Sequence, residues 1–525
     1  MRIAARQTAS DGRGRGRVDF ARDAAAISRP ALQSTTVEWM DRSERSLSLL
    51  PADRTIPLCV DLDGALIESD TLWDSLWLAA RAHPRAFLGA CLSLRNGRAN
   101  FKRRIASLAV PDPGALPYRG DFLKFLKGEA SAGRPLILAT AADENIARGV
   151  ARHLGIFDHV ISSDGAVNRK GIDKLEAIGR VATRFFYAGD SVADLPVWKA
   201  SEGAIVAGNN RTVLSALRKS GVPLYGRFPN RTSVPVAIAR AVRLPQWAKN
   251  LLVFVPVFLG RRTTDMGAWE SGLLVLAVFC LTSAIGYIIN DLLDLEADRQ
   301  HPRKRARPFA AGDLSIPAGL ALLAGLTCAA LGLSLFLRHT AQLWVAVYLA
   351  GSLFYSLYLK TRLLADVVGL ASLYVLRVMA GGAATGIVIS PWTLAFCLFS
   401  FYSLALVKRF CELQSLPESQ NTPARRSYRK ADLPIVAANG VASGILSVVV
   451  FALFISSPEV GLKYRSPGWL WLACPVLLYW FGRLWILANR GGILEDPFLF
   501  TFKDRISYIA AALIAAIWFL ASVGW

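Results

Sequence analysis

The segment Asn290-Asp291-Leu292-Leu293-Asp294-Leu295-Glu296-Ala297-Asp298 closes a long apolar stretch and runs into a basic one. On a continuous helix Asp294 and Asp298 lie one turn apart and share a face, and Asp291 lies close to it. Carboxylates at membrane depth are costly and are functional candidates by default. Three of them without paired bases would repel one another. A divalent cation that itself holds a diphosphate relieves the repulsion, because Mg2+ favours carboxylates together with phosphate oxygens.

A second set of reactive residues lies earlier in the chain. The apolar run Ile56-Pro57-Leu58-Cys59-Val60 leads directly into Asp61-Leu62-Asp63-Gly64. Leu136-Ile137-Leu138-Ala139 leads into Thr140, then comes Lys174, and Phe185-Phe186-Tyr187-Ala188-Gly189 leads into Asp190 and Asp194. Each apolar run reads as a buried strand that ends in a polar residue, and in open α/β sheets the site forms at the carboxyl ends of strands. The ordered quartet resembles the haloacid dehalogenase superfamily of phosphatases over roughly residues 56–200. The resemblance implies Asp61 as the nucleophile that forms an aspartyl-phosphate. It implies Asp63 as the acid that protonates the leaving oxygen and then activates water. Thr140 would hydrogen-bond the phosphoryl oxygens, and Lys174 would neutralise charge, with Lys170 competing for that role. Asp61, Asp190 and Asp194 would hold Mg2+, which lets an anionic nucleophile approach an anionic phosphate. Residues 70–130, with Trp73, Leu76, Trp77, Phe87, Phe101 and Ile105, read as a helical cap over the site, its aromatics mainly packing.

These residues must be positioned by two different architectures. The chain has 525 residues and a net charge of +21, with a mean hydropathy of +0.36. That combination fits basic loops of a polytopic inner-membrane protein and not a soluble partner of nucleic acid. Residues 1–50 are expected to be a disordered basic tail. They lack the apolar core of a secretory signal, and a transit peptide is the alternative reading. Residues 51–230 read as an α/β domain with a helical cap, and residues 231–525 as an all-α membrane domain. Apolar stretches of bilayer-spanning length fall near 248–260, 268–290, 316–338, 340–359, 364–388, 391–407, 433–456, 468–487 and 506–524, about nine helices with a short first one. Basic residues crowd one set of loops (Arg299–Arg307, Lys360–Arg362, Lys408–Lys430, Arg490–Arg505), whereas the opposite loops carry Arg261, Arg262, Arg338, Lys463 and Arg465. The positive-inside rule then puts the α/β domain and both acidic sites on the cytoplasmic face, and an odd number of spans puts the C-terminus outside. The seven cysteines form no CxxC pair and read as packing residues.

The segment around Asn290–Asp298, preceded by Arg243-Leu244-Pro245-Gln246-Trp247-Ala248-Lys249-Asn250, resembles the UbiA prenyltransferase superfamily over nearly all of 240–525. The resemblance implies a helical bundle around a central cavity with Asp-rich motifs at its cytoplasmic end. Members acting on aromatic acceptors usually carry a second DxxxD. Here the matching stretch is Tyr355-Ser356-Leu357-Tyr358-Leu359-Lys360-Thr361-Arg362-Leu363-Leu364-Ala365-Asp366, with one acid among basic and aromatic residues. This resembles the branch that moves phosphoribosyl from phosphoribosyl diphosphate to polyprenyl phosphate. Asp291, Asp294 and Asp298 would hold Mg2+ on the donor diphosphate, and Lys304 and Arg307 would stabilise it as it leaves. Lys360, Arg362 and Arg377 would hold either the sugar 5-phosphate or the lipid phosphate. Lys249, Asn290, Tyr355 and Asp366 complete the expected binding residues. Arg377 and Arg483 stand inside apolar runs, which argues for function over topology. The transferase product would keep a phosphomonoester, a substrate for the first domain. Two alternatives stay open: a quinone-type aromatic prenyltransferase, and a membrane-anchored phosphatase with a non-catalytic helical half.

Overall fold

A computed structural model describes residues 50–416, 427–493 and 496–523. The expected basic tail, except Leu50, and the loop arginines Arg425 and Arg426 lie outside the described residues. The first half is a six-stranded, fully parallel sheet in the order β3-β2-β1-β4-β5-β6. Its strands are β1 (Leu58–Val60), β2 (Leu136–Asp143), β3 (His159–Ser163), β4 (Phe186–Gly189), β5 (Gly203–Ala207) and β6 (Leu224–Phe228). Side chains alternate between two apolar layers. Leu58, Val60, Leu136, Leu138, Phe186 and Ala188 enter one core, and Cys59, Ile137, Ala139 and Tyr187 enter the other. A sheet covered on both faces has no solvent side, so its strands read as continuous apolar runs.

Helices α1 (Thr71–Ala82), α2 (Pro84–Leu92) and α3 (Arg98–Leu108) fill the segment expected to be a cap. Asp70 starts α1 by accepting the Leu72 and Trp73 N–H groups, the usual service of an N-cap carboxylate. Helix α4 (Ile172–Gly179) carries Lys174.

The second half is helical and reads as multi-pass. Among the described residues, eight helices are long and apolar enough to cross a membrane: α5 (Met266–Leu293), Ile316–Ser334, His339–Thr361, Ala365–Thr385, Pro391–Gln414, Lys430–Ile455, Pro467–Asn489 and Arg505–Val523. The expected first span differs in form. Leu244–Phe254 is a 3-10 helix, and only Val255–Leu259 is α-helical. Sixteen α-helical residues would reach about 24 Å. At a rise of about 2.0 Å for the 3-10 part, the same residues reach about 30 Å, the thickness of a hydrocarbon core. Both ends are anchored accordingly. Arg243 pairs with Asp291 at one end of the bundle, and Arg261 donates to the Lys463 and Ser522 carbonyls at the other.

The two halves touch closely. Gly312 has φ +81°, and a Cβ there would stand 2.7 Å from Glu68 Cβ and 2.8 Å from its carbonyl carbon. Gly312→Val is therefore expected to cost about 1–3 kcal/mol through backbone strain and this contact. The check is a lowered thermal midpoint of the purified chain.

Candidate active sites

The carboxyl edge of the sheet and helix α4 bring Asp61, Asp63, Lys174, Asp190 and Asp194 to one cavity. Asp61 follows β1, and its N–H donates to the Ala188 carbonyl of β4 at 2.9 Å. Asp61, Asp190 and Asp194 each offer an oxygen, all within 4.8 Å of one another. Lys174 Nζ donates to Asp61 Oδ2 at 2.7 Å, to the Tyr187 hydroxyl at 2.8 Å and to Asp194 Oδ1 at 3.3 Å. Lys174 is thus the lysine that meets Asp61, while Lys170 stands on the cavity wall. The Tyr187 hydroxyl in turn donates to Asp194 Oδ1 at 2.8 Å. Gly64 has φ +75°, and a Cβ there would lie 2.2 Å from Asp190 Oδ2, so the turn after Asp63 admits no side chain.

The electrostatics follow from three acids around one lysine. Burial pushes the Asp61 carboxyl up to about 6, with Asp194 adding to the rise and Lys174 opposing it. Burial and then Asp61 and Asp194 push Asp190 up to about 7. Burial and then Asp70 push Asp63 up to about 8, although its Oδ1 accepts the Thr71 N–H at 2.8 Å. Burial opposes the charge on Lys174, but Asp61 and Asp194 overcome it and hold its pKa above the ordinary lysine value. Carboxylates raised in this way are short of positive charge, and a divalent cation among Asp61, Asp190 and Asp194 fits that deficit. Asp63, protonated near neutrality, fits a general acid.

A cavity of about 340 Å³ opens on this set. Thr140 does not line it. The residue is fully buried, its Oγ1 accepts the Ala142 N–H at 3.0 Å, and Ala141 and Ala142 form the wall instead. The cap supplies a residue the sequence reading did not single out: Lys102 of α3, whose Nζ donates to the Ala141 carbonyl at 2.7 Å and to Asn168 at 3.0 Å. Its one signal is a run of three adjacent basic residues, Lys102-Arg103-Arg104, in the cap segment. Ser315, which caps the span Ile316–Ser334, also lines the cavity.

The helical half arranges its acids differently from the expectation. The helix does not continue through the motif. Helix α5 ends at Leu293, Asp294 leaves helical geometry, and α6 (Leu295–Gln300) restarts. The pair brought to one point is Asp291 and Asp298, not Asp294 and Asp298. A single atom, Arg307 Nη1, donates to Asp291 Oδ1 at 3.1 Å and to Asp298 Oδ2 at 2.6 Å. Arg243 pairs with Asp291 as well. Asp294 turns to Lys360, 2.8 Å away, and Lys360 also donates to Asn290 at 3.3 Å. The acids therefore have paired bases, and among the described residues the three do not form one tight group as Asp61, Asp190 and Asp194 do. Asp291 and Asp298 nonetheless fit a divalent cation, since one positive atom already reaches both. Mg2+ needs only one or two carboxylates beside substrate phosphates.

The other expected binders separate into further clusters. Asp366 is fully buried and held by Arg409 and by the Tyr428 hydroxyl at 2.6 Å. Arg409 also donates to Tyr355 at 3.0 Å, so Tyr355 and Asp366 share one guanidinium. Arg377 donates to Asn250 at 2.8 Å, to the Tyr348 hydroxyl at 2.8 Å and to the Leu373 carbonyl at 2.6 Å, and none of these partners is an acid. Lys249 pairs with Asp496 at 2.8 Å, and Lys408 with the same oxygen at 3.1 Å. Burial resists the charge on Asp496, but Lys408 and Lys249 hold its carboxyl below the usual range. Lys304 is exposed on the short helix Lys304–Ala306, with its backbone N–H bound to His301. Arg362 is exposed and lies over the Tyr358 ring. Arg483 is taken up by Asp504 through bonds of 2.7 and 3.0 Å, which supplies a structural reason for its place in an apolar run. The sequence does not single out Asp496 and Tyr348, and Asn250 enters only as the last residue of the Arg243–Asn250 segment, because their partners Lys249, Lys408 and Arg377 lie far along the chain.

Residues 251–503 match the model of the UbiA prenyltransferase family. Residues 58–199 match that of the haloacid dehalogenase-like hydrolases. The y4nM protein of Sinorhizobium fredii is 38% identical over 472 residues, 89% of this chain and 92% of that protein, so the match runs through both halves. The nodulation protein NoeC of Azorhizobium caulinodans is 32% identical over 51% of this chain and 88% of its own length. The decaprenyl-phosphate phosphoribosyltransferase of Mycolicibacterium smegmatis is 31% identical over 52% of this chain and 88% of its own length. The chain belongs to the UbiA prenyltransferase family and carries a haloacid dehalogenase-like hydrolase domain ahead of its membrane helices.

Proposed function

We propose that the helical half transfers 5-phosphoribosyl from phosphoribosyl diphosphate to polyprenyl phosphate. The α/β half then removes the 5-phosphate to leave polyprenylphosphoryl ribose, a precursor of lipid-linked arabinose. The observation that carries this reading is Lys360: a cation faces the Asp294 carboxylate and Asn290 where aromatic-acceptor enzymes carry a second acidic cluster. The likeness to decaprenyl-phosphate phosphoribosyltransferase over 88% of its length supports the same substrates.

In the transfer step Arg307 and Lys360 stabilise the diphosphate as it departs from the anomeric carbon, and Lys304 adds charge from the same end. Asp291 and Asp298 would hold Mg2+ on that diphosphate, and Asp61, Asp190 and Asp194 would hold it in the α/β half. When bound, Mg2+ supplies positive charge against phosphate oxygens. A lipid phosphate oxygen attacks the sugar. It is already ionised, so the chain needs no general base there, and positioning and charge carry the catalysis. Arg377, buried with neutral partners, and Arg362 suit the lipid phosphate or the sugar 5-phosphate. In the second step Asp61 attacks phosphorus and Asp63 protonates the departing ester oxygen. Asp63 then takes a proton from the water that opens the aspartyl-phosphate, while Lys174 holds Asp61 in place. Both sites face the cytoplasm of an inner membrane on the positive-inside argument. Residues 51–230 and 231–525 are the corresponding functional units.

The test is incubation of membranes containing the chain with phosphoribosyl diphosphate, Mg2+ and polyprenyl phosphate, followed by mass spectrometry of the lipids. A polyprenylphosphoryl pentose is the expected product. Turnover only of a prenyl diphosphate with an aromatic acid would overturn the donor and acceptor assignment. Phosphatase activity without any transfer would favour an anchored phosphatase.

A further inference from the structure

Helix α1 begins at one acidic site and ends on the other. At its start the Thr71 N–H donates to Asp63 Oδ1 at 2.8 Å. Two turns on, Trp77 Nε1 donates to the Leu292 carbonyl at 2.8 Å, and Arg81 donates to the Leu293 carbonyl. Between them Asp74 grips Arg299 through two bonds of 3.1 and 3.0 Å, and both side chains are at most 5% exposed. Gln300 adds a bond to Asp112 at 3.4 Å. Trp77 packs on the cluster that contains Leu292, Leu295 and Phe309. Twelve helical residues span about 18 Å, so one short helix reaches from the DxDG loop to the acidic motif of the membrane half.

The contacted atoms matter. Leu292 and Leu293 form the last turn of α5. In an uninterrupted helix their carbonyls would accept from the N–H groups four residues on, those of Glu296 and Ala297. Donors from α1 reach both carbonyls, that of Leu292 being shared with the Asp294 N–H, as in a C-terminal cap. The helix stops there, Asp294 turns toward Lys360, and the restarted α6 carries Asp298 to the same guanidinium nitrogen as Asp291.

We propose that Trp77, Arg81 and the Asp74–Arg299 pair are positioning residues of the transferase site, with α1 of the hydrolase-like half capping α5 and setting the break that brings Asp291 and Asp298 to one point. This assigns the α/β half a role in transfer separate from its own chemistry. It rests on the transferase reading of the acidic motif.

The experiment uses the full chain in lipid nanodiscs, with Trp77→Phe, Arg81→Met and the pair combined, and with Arg299→Met beside Arg299→Lys. Arg184→Gln, which removes only an exposed ion pair with Glu202, is the control. Two quantities are read: backbone amide exchange over 294–300, and the KM for phosphoribosyl diphosphate as Mg2+ is titrated. The combined variant is expected to exchange faster over 294–300 and to raise that KM about ten-fold, with a smaller change in kcat and unchanged exchange in β1 and β2. Arg299→Lys should recover part of what Arg299→Met loses. Unchanged exchange over 294–300 overturns the proposal, as does faster exchange with an unaltered KM. A wild-type chain inactive with these substrates would strike the substrate assignment instead, and the exchange result would then decide the capping by itself.

Discussion

Asp61→Asn is expected to abolish dephosphorylation, by at least about 10³-fold, because the reaction loses its nucleophile. Asparagine keeps the shape and the Leu62 N–H contact of Asp61 but has no anionic oxygen to attack phosphorus. It also removes one of three metal-binding oxygens and the charge that Lys174 meets at 2.7 Å. In the coupled assay the lipid should stop at the phosphorylated pentose, and mass spectrometry should find a product one phosphate heavier than wild type makes. Release of dephosphorylated lipid by the variant would break the proposed link between the halves. Asp63→Asn should act at the same step. It removes the proton donor to the leaving oxygen, so the loss should shrink for esters with a good leaving group such as p-nitrophenyl phosphate.

Asp291→Asn is the second large effect, expected to slow transfer about 10²–10³-fold, or about 3–4 kcal/mol in the barrier. Asp291 is 2% exposed and meets both Arg243 and Arg307, so its loss takes a counter-charge from Arg243 and leaves Arg307 with Asp298. Asp298→Asn should cost a similar amount, because both acids converge on one nitrogen of Arg307. The double variant should be little worse than either single one, since groups acting as a unit are not additive. Asp294→Asn belongs to a different contact, the one with Lys360, and its effect should add to that of Asp291→Asn. Initial rates of lipid formation at saturating Mg2+ check all four. Full additivity between Asp291→Asn and Asp298→Asn would show that the two do not serve one ion.

Much of this molecule is written in local pattern. The apolar runs before Asp61, Thr140 and Asp190 become β1, β2 and β4, and the side-by-side order of these strands puts Asp61, Asp190 and Asp194 together. Eight of the nine expected apolar stretches become helices long and apolar enough to cross a membrane among the described residues. Periodicity and length suffice here, because a buried strand and a bilayer span are each defined by which consecutive residues avoid water. The residue types needed for phosphoryl and glycosyl chemistry are legible for the same reason.

Which acid meets which base is not a local property. Sequence spacing pairs Asp294 with Asp298 on one helix face, but packing of Trp77 and Arg81 against the end of α5 accompanies a break that pairs Asp291 with Asp298. Thr140 has the expected residue type, yet its hydroxyl is spent on its own strand. Arg483 looked functional in one dimension and found Asp504 in three. The first apolar stretch reads as a short span, but most of it winds as a 3-10 helix, Leu244–Phe254, with only Val255–Leu259 α-helical. What the chain determines by itself is the inventory of reactive groups and the elements that carry them, since apolar patterning acts over a few residues. The tertiary structure alone decides their partners, because a buried charge is stabilised by whatever counter-charge packing brings within about 3 Å, however distant along the chain.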